Sequence, residues 1–416
     1  MKTILFFALI LGMTMQTLAQ NQLPTRNDID SKYKWDLTEF FKSPADFDAE
    51  YLSIQTDLKQ FDEFKGKLGN SAQDLEHCIN LQMDLSQRLS RMYLYASLGH
   101  DMDLTDAYFQ NCDTKVSKLW SEFGAATAFI VPEILSNPKE KIDGFVNSNK
   151  YLSGFKKYFE YLFHDKDHTL PAEEEKLLAQ LQPIFSITND TYGILNDAEL
   201  PFPVIKDSDG NDVRVSHGRY RSGLYSQDRN YRREVYKATY VPYNELKQTF
   251  ASLYNGRVTM RTTFAKIHHF NSALEASLFG NDIPVSVYNN LVKVANDNVK
   301  TLQRWASIKK RVLKLDELHP YDTYVSLFPA VDRSYTFDEA KEMILKALEP
   351  LGKEYVDVMK YSFENRWIDV YETKAKRSGA YSNSSGAGPH PFILLNWNNT
   401  LDDVFTLVHE LGHNMH

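Results

Sequence analysis

The sequence predicts a mainly α-helical protein with a small β element ahead of its last helix. Segments 44–66, 71–98 and 103–130 carry apolar residues at three- and four-residue intervals, the period of one buried helix face. Sequences typical of helix starts recur along the chain, whereas strand-like segments are few and short. With 416 residues, 43% of them hydrophobic, the chain is long enough for two or more domains around a substantial core.

The middle of the chain continues the helical pattern with one interruption. Pro171 and the glutamates that follow it predict a helix start, with a helix over 171–182. Residues 201–215 predict a β-hairpin around a polar turn at 207–212. The turn superficially resembles a calcium loop, but Asp212 and Gly218 stand where such a loop has Gly and Glu, so the hairpin is favoured. Further helices are predicted over 241–266, 286–314 and 336–362, the last opening with a capping box from Thr336 to Glu339.

Composition and charge exclude one class of function. Residues 217–240 are rich in Arg and Tyr, a mixture that binds nucleic acids in some proteins. The chain as a whole has a formal net charge of −8, which argues against nucleic-acid binding. A solvated helix face and buried ion pairs are therefore the favoured explanation of these residues.

The two cysteines and the N-terminus bear on the compartment. Residues 1–19 have the basic, apolar and small-residue regions of a cleavable signal peptide. The apolar run is too short to span a membrane, so we expect an exported protein, periplasmic or secreted, without a membrane span. Cys78 and Cys112 permit one disulfide in that setting, but two free, buried thiols are favoured because a core of this size does not need the bond.

The last predicted helix carries the pattern with the clearest chemistry, His409-Glu410-Leu411-Gly412-His413. Residues four apart share a helix face, so His409 and His413 are predicted to bind one zinc ion. Glu410 beside them is the predicted general base, accepting a proton from zinc-bound water as that water attacks a peptide carbonyl. A capping box from Thr400 to Asp403 predicts the helix start. The alternative is a buried helix whose histidines are satisfied by hydrogen bonds in the core.

The other histidines give weaker patterns. Helical spacing places His416 near the same face, but terminal residues fray and three ligands from one helix converge poorly on a tetrahedral ion, so it is not assigned as a ligand. His164 and His168 are four apart without a Glu after His164, and a loop pair is favoured over a second metal site.

A loop and a strand precede the metal helix. The small-residue stretch 377–389 predicts a loop, and the apolar run 392–397 predicts a short strand. An extended peptide could pair with that strand through main-chain hydrogen bonds, whereas the alternative is a core strand beside an ordinary surface loop. The groove hypothesis assigns substrate contacts to four residues: Gly379, Tyr381, Ile393 and Leu395.

Together these motifs resemble the oligoendopeptidase F group of thimet-oligopeptidase-like zinc peptidases. The resemblance rests on residues 32–37, 169–178, 272–279, 379–381, 391–396 and 409–413. It implies a prolate multi-helix fold enclosing a deep channel, one zinc ion per chain and cleavage of short peptides. It also implies that residues 20–190 form an N-terminal helical region and that residues 200–416 form the first part of the catalytic domain. The zinc ligands of the family match His409 and His413, and its base matches Glu410.

The resemblance also implies residues that this sequence does not supply. Members of the family continue past the metal helix and contribute a third zinc ligand, a Glu, with later His and Tyr residues. We therefore expect a C-terminally truncated catalytic domain whose activity is doubtful. Two functions stay open: a zinc endopeptidase for short peptides, and an inactive peptide-binding remnant of such an enzyme.

Overall fold

The computed structural model describes residues 23–328, 333–384, 386 and 388–416. The predicted signal peptide at residues 1–19 lies outside the described residues. The described part of the chain is mainly α-helical, and its few strands form one hairpin and one three-stranded sheet, so the predicted fold class is confirmed.

The N-terminal helices build the larger of two main hydrophobic cores. Helix α2 buries twelve of its residues, and its start is fixed by the Ser71 hydroxyl, which accepts a hydrogen bond from the amide of Asp74. The helices predicted over 71–98 and 103–130 are confirmed with boundaries shifted by a few residues, whereas the one predicted over 44–66 ends at Asp57 and is followed by a 3₁₀ helix at Leu58–Glu63. The helices are α1 (Pro44–Asp57), α2 (Ala72–Met102), α3 (Ala107–Thr127), α4 (Ile130–Leu135), α5 (Lys139–Ser148), α6 (Lys150–Ser153) and α7 (Lys156–His164).

The helix predicted after Pro171 is longer than the sequence pattern indicated. Helix α8 (Ala172–Gly193) continues through Pro183 into a π-helical turn at Ile194–Glu199. The predicted end at residue 182 was therefore wrong: α8 packs along α3, and tertiary packing outweighs the local preference of Pro183 to end a helix. The hairpin that follows is confirmed, with β1 (Val204–Lys206) antiparallel to β2 (Asp212–Arg214).

The next six helices follow the hairpin, and an ion-pair cluster holds the second of them, α10, which carries Arg229 and Arg232. Asp322 is fully buried and accepts hydrogen bonds from Arg229 and Arg232, which confirms that the Arg-rich segment forms buried ion pairs. Helices α13 and α14 instead leave large apolar side chains such as Leu291 and Leu302 exposed. The six helices are α9 (His217–Leu224), α10 (Arg229–Glu245), α11 (Lys247–Ile267), α12 (Ala273–Phe279), α13 (Val285–Asp297) and α14 (Val299–Val312).

The single helices predicted over 286–314 and 336–362 are both wrong, because the structure has two helices in each segment. Helix α15 (Phe337–Ala347) begins with the predicted capping box of Thr336 and Glu339, and α16 (Lys353–Glu364) follows a 3₁₀ turn at Glu349–Leu351. Pro350 has no amide hydrogen to continue the helix, and Gly352 has φ +98°, a backbone conformation that favours glycine.

A three-stranded sheet joins the two main cores. Its strands are β3 (Ile368–Asp369), β4 (Tyr381–Asn383) and β5 (Phe392–Leu394), with β5 in the middle, parallel to β3 and antiparallel to β4. Phe392 and Leu394 belong to the N-terminal core, whereas Ile393 packs on the opposite face into the core of α15, α16 and the last helix. The prediction that 377–389 is entirely a loop is corrected, since β4 lies within it.

Several weaker predictions have direct outcomes in the structure. Cys78 and Cys112 are free and buried, as favoured, and burial raises the pKa of the Cys78 thiol to about 12. The predicted loop pair is wrong, because His164 is the last residue of α7 and His168 lies in a 3₁₀ helix at Asp165–His168. His164 stacks on Phe279 and His168 stacks on Phe270. Within the described ranges, no helix has the length and apolar character needed to cross a membrane.

Candidate metal centre

The last helix, α17 (Leu401–Met415), starts where its capping box predicts. The Thr400 hydroxyl accepts a hydrogen bond from the amide of Asp403 at 3.1 Å, and the Asp403 carboxylate accepts one from the amide of Thr400 at 2.8 Å. The same carboxylate accepts a bond from the amide of Asn398 at 3.0 Å. The start of α17 is therefore fixed against the end of the segment that follows β5.

One face of α17 is buried, and this orients the opposite face. Val404, Leu407 and Leu411 pack into the core with α15 and α16. His409 and His413 lie on the exposed side, while Glu410 between them is 8% exposed. Helix packing thus presents both imidazoles outward and places the carboxylate at the boundary of the core.

The two histidines converge as the spacing predicts. Their Nε2 atoms are 3.1 Å apart, and the ring planes are inclined at 81° with centroids 4.8 Å apart. Two nitrogens that bind a tetrahedral ion at about 2.0–2.1 Å lie roughly 3.4 Å from each other. The pair therefore fits two positions of a zinc site. Among the described residues, no group of three His, Cys, Asp or Glu side chains is arranged to hold a metal, and His416 does not complete one.

Two cavities meet at Glu410. The first, of about 340 Å³, lies between α9, the segment after β5 and the start of α17, and its lining includes Arg221, Tyr225 and Asn396. The second, of about 450 Å³, is lined by residues 380–384 with Glu410 and His413. In the part of the chain that the structure describes, the Glu410 carboxylate forms no hydrogen bond or ion pair. An unpaired carboxylate at the junction of two cavities is placed to accept a proton from a molecule bound there.

The structure separates the four predicted substrate-contact residues. Gly379 and Leu395 line the first cavity, and Tyr381 lines the second. Ile393 is fully buried and lines neither cavity, so its predicted contact is corrected. The predicted pairing of a peptide with β5 is also wrong, because β3 and β4 occupy both of its edges.

The sheet has two edge strands, β3 and β4, and it is β4 that lines the second cavity beside Glu410 and His413. The amides of Ile393 and Leu395 donate to carbonyls on the β3 side, at Trp367 and Asp369, both at 2.8 Å. Main-chain groups alternate along a strand, so Phe392 and Leu394 direct theirs toward β4, where they pair with Asn383 and Tyr381. By the same alternation, the amide and carbonyl of Ser382 point away from β5, along the outer edge of β4. Ser382 is also one of the residues that line the second cavity.

A buried ion pair supports the sheet on the β3 side. Lys376 is fully buried, and its ammonium donates to the Asp369 carboxylate at 2.7 Å and to the carbonyl of Leu395 at 2.6 Å. Arg26 donates to the other oxygen of Asp369 at 2.7 Å. Burial raises the pKa of Asp369, but these two cations outweigh it and hold the pKa below its ordinary value.

A second carboxylate supports β4. The Tyr381 hydroxyl donates to Asp101 at 2.6 Å, and Arg377 donates to the same carboxylate at 2.9 Å. Burial raises the pKa of Asp101 despite these donors, and burial beside Asp101 raises the pKa of Tyr381 well above its ordinary value. Sequence analysis missed Asp101 and Lys376, since nothing in the local pattern shows that these charges are buried.

Two family models match parts of the chain. A model described as peptidase family M3 matches residues 222–416, and one described as oligopeptidase F matches residues 133–202. The chain is 37% identical to oligopeptidase PepF of Bacillus subtilis over 97% of its own length and 60% of that protein. It is 36% identical to the group B oligopeptidase PepB of Streptococcus agalactiae over 94% of its own length and 65% of that protein. The chain therefore spans less than two thirds of the length of these curated relatives.

Solved structures extend the comparison. Oligoendopeptidase-F from Enterococcus faecium superposes with a TM-score of 0.68 at 33% identity, covering 76% of this chain and 60% of that one. PZ peptidase A, solved with an inhibitor, superposes with a TM-score of 0.67 over 91% of this chain and 64% of that one. At 19% identity, the second match shows a shared fold alone.

Proposed function

Since the chain belongs to the oligoendopeptidase F group of peptidase family M3, we propose that its His409-Glu410-His413 site serves zinc-dependent hydrolysis of short peptides. The observation that carries the proposal is the convergence of the two Nε2 atoms, 3.1 Å apart, beside the Glu410 carboxylate, which has no partner among the described residues and lines both cavities. His409 and His413 would hold the zinc ion, one per chain, and Glu410 would act as the general base.

The chemistry divides between the ion and the side chains. Zinc, when bound, supplies a Lewis acid that polarises a carbonyl and acidifies water. Glu410 accepts a proton from the attacking water and passes it to the leaving amine nitrogen, so the carboxylate is regenerated with each peptide cleaved. Its low exposure of 8% limits the access of competing solvent to the carboxylate.

The substrate class follows from the open edge of β4. The outward amide and carbonyl of Ser382 are groups with which an extended peptide pairs in β-augmentation. Main-chain pairing recognises a peptide without a strict sequence requirement, which suits hydrolysis of varied short peptides. The second cavity places this edge beside Glu410 and His413.

A second candidate function is peptide binding without hydrolysis. It is favoured by one observation, that within the described residues the two histidines have no third His, Cys, Asp or Glu partner in a metal-binding arrangement. Two ligands bind zinc more weakly than the three protein ligands of most catalytic sites.

Location and domain organisation complete the proposal. The basic, apolar and small-residue regions of residues 1–19 support export to the periplasm or the medium. We assign residues 20–190 to an N-terminal helical region and residues 200–416 to part of a catalytic domain. The predicted deep channel is retained as part of the same proposal.

The test combines metal analysis with peptide cleavage. The 416-residue chain is equilibrated with zinc, and bound zinc and cleavage of a quenched fluorescent peptide pool are measured for the parent, His413→Ala and Glu410→Gln. Glu342→Gln, at an exposed position of α15, is the control. The proposal predicts zinc binding lost in His413→Ala, and cleavage that falls about 10²–10⁴-fold in Glu410→Gln while Glu342→Gln matches the parent.

Each alternative gives a different result. Peptide binding without cleavage in the parent chain supports the second candidate. Zinc binding unchanged by His413→Ala, or cleavage unchanged by Glu410→Gln, contradicts the proposed site.

A further inference from the structure

Strand β4 is held by side chains on both of its faces. Tyr381 faces the N-terminal core, where its hydroxyl donates to Asp101 at 2.6 Å. Ser382 faces the other way, and its hydroxyl donates to the side-chain oxygen of Asn414 on α17. The strand whose main chain is open along one edge is therefore fixed by one hydrogen bond below the sheet and one above it.

Asn414 occupies a distinctive place on α17. It directly follows His413, which lines the second cavity. Its side-chain bond therefore ties the part of α17 that carries His413 to Ser382, whose main chain forms the open edge of β4. Helix α17 also packs directly on β4. A change in this bond would shift the edge of β4 relative to Glu410 and His413.

The Asn414 side chain buries a polar atom without a partner in the described part of the chain, which is unfavourable and which packing alone does not explain. Its Nδ2 atom is buried and has no hydrogen-bond partner among the described residues. Reversing the amide would leave the oxygen unpaired instead, because the Ser382 hydroxyl satisfies only one end. An apolar side chain of similar size would fill the space without burying an unpaired polar group, so the bond to Ser382 is what the amide contributes here.

We propose that Asn414 is a positioning residue that holds Ser382, and with it the peptide-pairing edge of β4, in register with the metal helix. The proposal rests on the proposed function and deepens it, because it names the contact that aligns a bound peptide with the metal centre. Asn414 acts through Ser382 and does not itself contact the substrate.

Peptide affinity and zinc affinity together test this role. Both are measured in a Glu410→Gln background, which prevents cleavage, with a fluorescein-labelled random octapeptide pool read by anisotropy and zinc read by competition with a chelating dye. The variants are Asn414→Leu, Ser382→Ala and their combination, with Ser382→Thr as the conservative variant that keeps the hydroxyl. Thermal unfolding of each variant is recorded in parallel.

The expected pattern distinguishes positioning from general stability. Loss of one neutral hydrogen bond weakens peptide binding roughly fivefold in each single variant, and the combined variant is no weaker than either one, because both remove the same bond. Ser382→Thr retains the affinity of the parent, and zinc affinity is unchanged throughout. If Asn414→Leu is the one variant that unfolds, the role is tested by the peptide affinities of Ser382→Ala and Ser382→Thr.

Two kinds of result overturn the proposal. Three results would refute the positioning role alone. The folded single variants could keep the peptide affinity of the parent, or the losses of the single variants could multiply in the combined variant. The third is a zinc affinity that falls in parallel with the peptide affinity. A parent chain that binds zinc but no peptide would refute the proposed function as well, so the two failures are distinguishable.

Discussion

Strands β5 and β4 are neighbours in one sheet, yet they are held in different ways. Both edges of β5 are paired, and each of its residues is buried in a hydrophobic core. One edge of β4 is paired with β5, its residues are only partly buried, and side-chain hydrogen bonds from Tyr381 and Ser382 hold it. Burial therefore fixes the strand that supports the sheet, and directed polar contacts fix the strand whose open edge is available to a ligand.

Two adjacent basic residues repeat this contrast. Lys376 is fully buried with Asp369 on the β3 side, whereas Arg377 is 45% exposed and pairs with Asp101 on the β4 side. The Lys376–Asp369 pair is isolated from solvent, whereas solvent partly screens the Arg377–Asp101 pair. The same substitution at Lys376 and at Arg377 should therefore lower the unfolding free energy by different amounts.

The largest expected effect comes from Lys376→Met. The substitution leaves the buried Asp369 with only Arg26 as a cationic partner, and removal of one member of a buried ion pair costs about 3–5 kcal/mol of unfolding free energy. Arg377→Met is the matched control and should cost less than about 1 kcal/mol, because its guanidinium is half-exposed. Urea unfolding of both variants measures the difference in unfolding free energy. Equal losses in the two variants would show that the buried pair and the half-exposed pair contribute alike.

Truncation of the two strands should also differ. Ile393→Ala removes a fully buried side chain from β5 and should cost about 2–5 kcal/mol. Asn383→Ala in β4 changes a partly exposed side chain and should stay within about 0.5 kcal/mol. The same urea titration checks both, and a large loss in Asn383→Ala would show that β4 is a second structural strand.

Tyr381→Phe tests the bond that holds β4 to the N-terminal core. A hydrogen bond to a charged group contributes about 1.5–3 kcal/mol, and Asp101 is buried, so we expect a loss of that order. Tyr33→Phe is the control, because the Tyr33 hydroxyl donates to Asp338 at 3.0 Å in an exposed setting and should matter little. Thermal unfolding measures both losses. If the two variants lose the same stability, the bond to buried Asp101 contributes no more than the exposed bond to Asp338.

The two carboxylates should respond to acid with opposite sign, which is the smallest effect expected. The pKa of Asp369 is lowered, so its contribution to stability is present above its unfolded pKa and lost as pH falls through the folded value. The pKa of Asp101 is raised by burial, so its contribution is fully present below its unfolded pKa and lost as pH rises through the folded value. Unfolding free energy is measured from pH 7 to pH 3 for the parent, Asp369→Asn and Asp101→Asn.

On acidification, the stability of the parent should fall relative to Asp369→Asn and rise relative to Asp101→Asn. Curves that run parallel for all three proteins would show that neither carboxylate titrates differently in the folded state. If the unfolding free energy of the parent falls relative to both variants on acidification, the pKa of Asp101 is not raised in the folded state.

The sequence predicts the elements whose signals are local. The capping boxes at Thr336 and Thr400 mark helix starts, and the spacing of His409 and His413 brings their ring nitrogens together. Apolar residues at three- and four-residue intervals add the fold class, which the structure confirms as mainly α. These features depend on residues only a few positions apart, so they are readable without tertiary information.

The sequence fails where distant contacts decide the outcome. Strand β4 has three residues in a stretch rich in Gly and Ser, and it forms only because β5 pairs with it. The apolar run of β5 indicates burial, but it does not show that both edges are taken, and for this reason the peptide edge was assigned to the wrong strand. The bond from Ser382 to Asn414 joins residues 32 apart and has no sequence signature.

Amide hydrogen exchange at Ser382 and Ile393 tests the contrast between the strands most directly. Exchange is followed by mass spectrometry with residue-resolving fragmentation in the zinc-loaded Glu410→Gln chain, with and without the octapeptide pool. We expect the Ser382 amide to exchange rapidly in the free chain and to become protected when peptide binds, while the Ile393 amide is protected in both states. A Ser382 amide that is already protected without peptide, or that is unaffected by bound peptide, would show that the outer edge of β4 does not pair with the substrate.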